Sequence, residues 1–196
     1  YLSHFIKYLL KGNFRDASYH IKSYFGDEPY WNFEEIISIE EKYEVRSTFF
    51  FMNETLKFNL FDKANWQLSL GRYSLSDPKI IRIIKFLDMN GWEIGLHGSY
   101  NSFNDFELML EEKQILENIL GHKVHGIRQH YLNLNNKTWE RQKKCGFKYD
   151  STFGYNRKIG FKDNQYLPFH PFNDKFTVIP LVIMDSCYMS TKNNWN

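Results

Sequence analysis

Residues 92–102 read WEIGLHGSYNS: an apolar run that ends on a histidine and passes into small hydroxyl and amide side chains. The first six residues predict a short buried strand over 92–97, and the polar cluster behind them predicts a loop. His97 then stands at the carboxyl end of a strand, either as a structural histidine bonded to neighbouring backbone or as a metal ligand. On the amino side, Ser76-Asp77-Pro78 predicts a helix start with Ser76 as N-cap. IIRIIKFLDM supplies one apolar stripe, and Asn90-Gly91 ends the helix with residues that tolerate a left-handed backbone. On the carboxyl side, the spacing of Phe106, Met109, Leu110, Ile115, Leu116 and Ile119 predicts a helix from Asn104 to Leu120 that Gly121 stops.

The same rhythm extends outward. VHGIR predicts the next strand, residues 135–144 the next helix, ended near Gly146, and FKYD a further strand. FTVIPLVIM, 176–184, closes the series after a proline-punctuated loop containing FHPF. Upstream, VRSTFFFM (45–52) predicts a buried strand and residues 53–76 a mixed loop or hairpin. Asp27-Glu28-Pro29 introduces a helix in WNFEEIISIEEKY, with Trp31, Phe33, Ile36, Ile37 and Tyr43 on its apolar side. Residues 4–24 show helix-like spacing broken at Gly12-Asn13. Strands alternate with helices across connections too long for hairpins, which predicts an α/β fold with a parallel sheet, either a (β/α) barrel or an open doubly wound sheet. No GxGxxG or GxxxxGK[ST] follows any strand, so the barrel is favoured. A single domain is expected over residues 1–196, with a helical excursion over 1–28 and a barrel core over 29–185.

Composition narrows the partners. At 42% hydrophobic and 18% aromatic the chain is outside the disordered class. Its 25 basic and 23 acidic residues are spread along the sequence, leaving no basic stripe to track nucleic acid. No run approaches the roughly 20 apolar residues that cross a bilayer. Cys145 and Cys187 form neither a CxxC nor a disulfide framework, which is the usage of a reducing compartment. The chain opens on YLSHFIKYLL, inside an amphipathic pattern and without a signal peptide, so a fragment of a longer protein is expected. Nothing in the sequence sets an oligomeric state.

In barrels of this kind the chemistry gathers at the carboxyl ends of the strands. Successive strand ends here read Asn53, His97, Arg128 with His130, Asp150 and Asp185. Imidazoles and a carboxylate converging from different strands can hold a divalent ion, which acidifies bound water and polarises a carbonyl. An arginine beside a carboxylate keeps it ionised, although Arg128 and Asp150 read equally well as a structural ion pair. Tyr73, Tyr100, Tyr131, Phe153, Tyr155 and Phe169 fall in loops after strands, where flat rings stack on sugars. His170 sits between prolines in a shaped loop that can line a substrate cleft. His4, His20, His122 and His125 lie away from the proposed face and receive no role.

Taken in order, VRSTFFF, WEIGLHGSYNS, GIRQHYLN and GFKYDST resemble the motifs of the NodB-like polysaccharide deacetylases, carbohydrate esterase family 4, over residues 29–185. The likeness is strongest to a branch associated with surface-polysaccharide gene clusters. Only together with this family resemblance does the cysteine usage lead to the expectation of a cytoplasmic location. The resemblance implies a deformed (β/α)7-type barrel, here incomplete at both ends. It implies a metal-dependent hydrolase that removes acetyl groups from a carbohydrate, acting on C–N amide bonds with a divalent metal, commonly zinc. It further implies His97 as a metal ligand, with His130 replacing the family's second histidine, whose place Asn101 takes. Arg128 would orient the acidic catalytic chemistry, with Asp150 beside it, and the Tyr131 backbone N–H would face the oxyanion. Tyr100, Asn101, Tyr155 and His170 would face the substrate.

The sequence departs from the family pattern in two further places. An Asp-bearing strand end should precede the helix near Trp31; none does, and it is expected upstream of Tyr1. The late L-x-H histidine has no match, since LVIMDS offers Asp185. The chain as it stands is therefore expected to lack a general base and a general acid. A non-catalytic carbohydrate-binding relative, or a different barrel hydrolase, are the alternatives these departures keep open.

Overall fold

Threonine and three phenylalanines in a row begin the sheet. In the computed structural model the described residues are 8, 9, 12–15, 18, 31–69, 73–185 and 187. They fall into two compact units, residues 1–47 and 48–196. In the first, α1 (Phe33–Lys42) buries Ile37 and carries Glu34 and Glu35 in its first turn, where acids favour the positive end of the helix. Tyr43, expected on its apolar side, is exposed. Of the excursion expected over 4–24, Tyr8, Leu9, Phe14, Arg15 and Ser18 are described and helical, and Gly12-Asn13, where the break was expected, form a turn; the rest, with Asp27-Glu28-Pro29, lies outside the described residues.

The second unit runs β1 (Thr48–Met52), α2 (Lys63–Ser69), α3 (Pro78–Met89), β2 (Glu93–Gly98), α4 (Phe106–Leu120), β3 (Gly126–Gln129), α5 (Thr138–Lys144), β4 (Tyr149–Asp150) and β5 (Thr177–Val178). All four pairings are parallel and the strand order is β1-β2-β3-β4-β5. An order that never reverses is that of a barrel wall; a doubly wound sheet reverses at a switch point. α2 was expected as loop or hairpin. Its seven residues are too few for a readable 3.6-residue period, and Asn65 fixes it instead, accepting from Asn59 N and donating to Lys57 O. The N-cap of α3 is Asp77, which accepts from Lys79 N at 2.8 Å, rather than Ser76. The stretch 176–184 yields only two strand residues, because Pro180 has no N–H to extend the ladder.

Register sorts the side chains onto two faces. Leu96, Ile127, Asp150 and Val178 pair across four strands, so all four point the same way. That way lies the helical layer, where Ile80, Ile84 and Leu87 of α3 and Met109 and Leu116 of α4 are buried with Phe51 and Ile94. Asp150 is the polar member of this row and is fully buried. Its carboxyl accepts from Trp139 Nε1 at 3.2 Å and Gln142 Nε2 at 2.8 Å, both on α5. It also accepts from the backbone N–H of Thr152 at 3.0 Å and from the Thr152 hydroxyl. Burial pushes its pKa upward, against these bonds.

Asp150 therefore clamps α5 to the sheet. Replacing it with Ala strands donors from Trp139, Gln142 and Thr152 in an apolar layer, and is expected to cost about 3 kcal/mol or more. The midpoint of urea unfolding for Asp150→Ala measures this, with Asp150→Asn, which keeps one acceptor, falling in between.

Candidate functional site

The opposite face of the sheet is built in layers. Phe50 pairs with Gly95 and Gly126 with Tyr149, so two rings flank two glycines across one row. A Cβ on Gly95 would stand 2.5 Å from the Phe50 ring, and one on Gly126 2.2 Å from the Tyr149 ring. The glycines are there because the rings lie over them. Burial raises the Tyr149 phenol to about 12. One row higher, toward the carboxyl ends, stand Met52, His97 and Arg128, with Ser151 following β4.

Arg128 lies on the ring floor, its guanidinium carbon 4.8 Å from the Phe50 centroid. Its Nε donates to Ser151 O at 3.2 Å and Ser151 Oγ at 3.1 Å. Burial pulls its pKa below the ordinary value, with the charges of Asp150 and Tyr149 acting the other way. It makes no ion pair with Asp150. The two residues sit on adjacent strands one position out of step, and the alternation of the chain sends Arg128 to the open face and Asp150 to the helices.

His130 follows β3 in a tight turn, His130–Leu132, in which Tyr131 and Leu132 both take left-handed backbone, φ 55° and 54°. Two successive non-glycine residues in that region cost about 1–2 kcal/mol each. The turn folds back so that the His130 ring lies 5.4 Å from the His97 ring and stacks on Tyr131 at 4.4 Å. Tyr100 approaches edge-on, 6.4 Å from His130 and 6.1 Å from Tyr131. His97, Tyr100, His130 and Tyr131 thus form one cluster, with Arg128 beside His97 in register.

Other predicted residues fall elsewhere. Asn101 lines an open cavity of about 590 Å³ with Phe103, Asn104, Asp105 and Arg141, none of them in the cluster. Tyr155 lies in the loop after β4, its hydroxyl accepting from Asp163 N at 3.4 Å. His170 is exposed and its Nδ1 meets Phe176 O at 3.0 Å, just before the amino end of β5. Continuing the register puts Phe176 three rows below His97, ~10 Å toward the other end of the sheet. Asp185 comes seven residues after Val178, so it is not a strand-end carboxylate.

Two carboxyl groups that sequence reasoning passed over stand behind the cluster. Glu54 follows Asn53 at the end of β1 and accepts from Tyr100 N at 3.0 Å and Leu56 N at 3.0 Å. Glu112, on the sheet-facing side of α4, accepts from Ser99 N at 3.2 Å and is 1% exposed. Among the described residues its Oε1 has no hydrogen-bond partner, nor do the nearby Ser99 Oγ and Gln129 Nε2. Gly98 is packed under the same group: a Cβ there would stand 2.3 Å from Gln129 Oε1. Burial, followed in smaller part by the Glu54 charge, raises Glu112 to about 7 against the bond from the Ser99 backbone N–H.

Among the described residues, no three His, Cys, Asp or Glu side chains group closely enough to hold a metal ion. His97 and His130 supply two imidazoles of the type zinc accepts, and the third protein donor of a catalytic zinc site is not among the described residues. Nor is any described helix long and apolar enough to cross a membrane.

No family model matches the chain, and no curated protein matches it by sequence. Among solved structures it is similar to a Mycobacterium smegmatis protein assigned as a polysaccharide deacetylase, with TM-score 0.52 and 16% identity over 85% of this chain and 49% of that one. It is also similar to the Xyl-CE4 domain of a multidomain xylanase from the hindgut metagenome of Trinervitermes trinervoides, with TM-score 0.41 and 18% identity over 58% and 49%. A third similarity is to Puue allantoinase, with TM-score 0.45 and 19% identity over 76% and 42%. The first shows a shared fold, and the chain spans about half the length of that structure.

The buried acid behind the cluster sets a pH dependence. Between an ordinary 4.5 and about 7 the folded protein holds a proton on Glu112 that the unfolded chain has released. The resulting stability is complete below 4.5 and is lost as pH rises through about 7, on the order of 3 kcal/mol in all. Glu112→Gln is expected to flatten that part of the curve and to be more stable than the native chain at pH 8, as read from unfolding midpoints between pH 4 and 9.

Proposed function

We propose that this chain is part of a carbohydrate deacetylase of the NodB-like, carbohydrate esterase family 4 type, a hydrolase that removes acetyl groups from a sugar in surface-polysaccharide metabolism. The observation that carries this is the imidazole pair, His97 with His130, at the carboxyl ends of neighbouring parallel strands, ringed by Tyr100 and Tyr131. The fold shared with the Mycobacterium smegmatis protein and the ordered sequence motifs support it.

In this reading His97 and His130 hold a divalent ion, most simply zinc, together with a donor from outside the described residues. When bound, such an ion acts as a Lewis acid toward an acyl oxygen and acidifies water. The chain's own residues bind and orient. Tyr100 and Tyr131 present ring edges and faces to a sugar, Tyr131 being 41% exposed. The Tyr131 backbone N–H, in a turn of left-handed backbone, would be the donor to the oxyanion. Arg128, held by Ser151 over the Phe50 ring, adds a fixed positive charge beside His97. Asp150 acts as the clamp of α5 and takes no part in proton transfer in this scheme.

A second reading is a sugar-binding relative without catalysis, favoured by Asn101 in place of the family's second histidine, since an amide is a poor zinc ligand.

Acetate release from N-acetylglucosamine oligomers and from an O-acetylated xylan, with zinc, cobalt or manganese supplied, tests the proposal. The whole protein of which this chain is part is expected to release acetate, and His97→Ala in it to lose about 100-fold or more of the rate. Zinc titration by calorimetry is expected to weaken in both His97→Ala and His130→Ala. Binding of the oligomers without any acetate release selects the second reading.

A further inference from the structure

Tyr100 is held at both ends of its own backbone. Its N–H donates to Glu54 Oε2 at 3.0 Å, and its carbonyl accepts from Asn133 Nδ2 at 3.4 Å. Glu54 belongs to the loop after β1 and Asn133 to the loop after β3, so one residue of the β2 loop ties three successive strand ends together. The preceding amide, Ser99 N–H, goes to Glu112 behind the sheet at 3.2 Å. Consecutive peptide N–H groups are thus taken by two different carboxyl groups, which fixes the peptide plane between them and with it the direction in which the Tyr100 side chain leaves the backbone.

We infer that Glu54 is a positioning residue of the cleft: through the Tyr100 amide it sets where that ring stands against His130 and Tyr131. Glu54 is itself immobilised, because its second oxygen accepts from Leu56 N at 3.0 Å, closing its own loop. Both oxygens are engaged by backbone donors. A glutamine at this position keeps one acceptor for two donors, and an alanine keeps none. The effect is local to Tyr100, 6.4 Å from the His130 ring and 6.1 Å from Tyr131, with no contact to a reacting atom required. The role rests on reading this cleft as a sugar site, with Tyr100 as one of its walls.

The test compares Glu54→Ala and Glu54→Gln with the native chain by two readouts. In the first, the histidine ring proton resonances are followed by NMR. Glu54→Ala is expected to shift the His130 signal and leave that of His170, at the other end of the sheet, in place. Glu54→Gln is expected to give a smaller shift in the same direction, and it decides the matter alone if the alanine variant does not fold. An unmoved His130 signal, or equal movement of all histidine signals, overturns the inference. In the second readout, acetate release from N-acetylglucosamine oligomers, KM is expected to rise roughly fivefold in Glu54→Ala, as loss of one hydrogen bond implies, with kcat little changed. A fall in kcat at unchanged KM also overturns it. A whole protein that releases no acetate removes the deacetylase reading and leaves the His130 shift to decide the role of Glu54.

Discussion

The pairing of β2 with β3, His97 opposite Arg128, is the constraint from which the rest of the second unit follows. Side chains alternate along a strand, so a slip of one residue in β3 would bury Arg128 among the helices and bring Gln129 up beside the histidine. Two interactions oppose that slip. Asp150 reaches α5 only in the observed register, and Gln129 Oε1 accepts from Ser102 Oγ at 2.9 Å only from the helical side. The same alternation that exposes His97 and Arg128 therefore commits Asp150, one row down and one strand along, to a structural post.

That post is part of a polar seam between sheet and helices. Ser99, Ser102, Glu112, Gln129, Thr138, Gln142, Asp150 and Thr152 are all at most 5% exposed. An apolar seam of equal volume would hold the layers at least as strongly, since a buried hydrogen bond contributes only about 1 kcal/mol net. The seam adds direction, because each bond is satisfied in one arrangement only. It lies directly beneath the loop bearing Tyr100, so the rigidity of the packed layer is passed to the cleft through Ser99 and Gly98.

Much of the fold was legible from residues 76–150. The helices and strands flanking WEIGLHGSYNS appear within a few residues of their expected bounds, since Asp77-Pro78, Asn90-Gly91 and Gly121 mark ends by local chemistry alone. His97, Arg128 and His130 appear at strand ends for the same reason. What a one-dimensional reading could not give was facing. Asp150 ends a strand as the chemistry would ask, yet in a two-residue strand no period shows which side it occupies. Glu54 sat unnoticed next to Asn53, because its value comes from an amide 46 positions away. Glu112 looked like one more charge on an amphipathic helix; among the neighbouring acids of α4 only its place in the turn sets it apart, and the apolar stripe read from Met109, Leu116 and their neighbours runs through that place.

The ring floor of Phe50 and Tyr149 laid over Gly95 and Gly126 carries an electrostatic consequence. Hydrocarbon beneath His97 and Arg128 polarises weakly, so the field of a charge placed above them is screened on one side only. An ionic group entering from the open side, whether on a sugar or in a solvated ion, would be felt by both side chains at a greater separation than over a wet surface. Filling the glycine gaps with side chains would push the rings apart, admit water between them and shorten that reach.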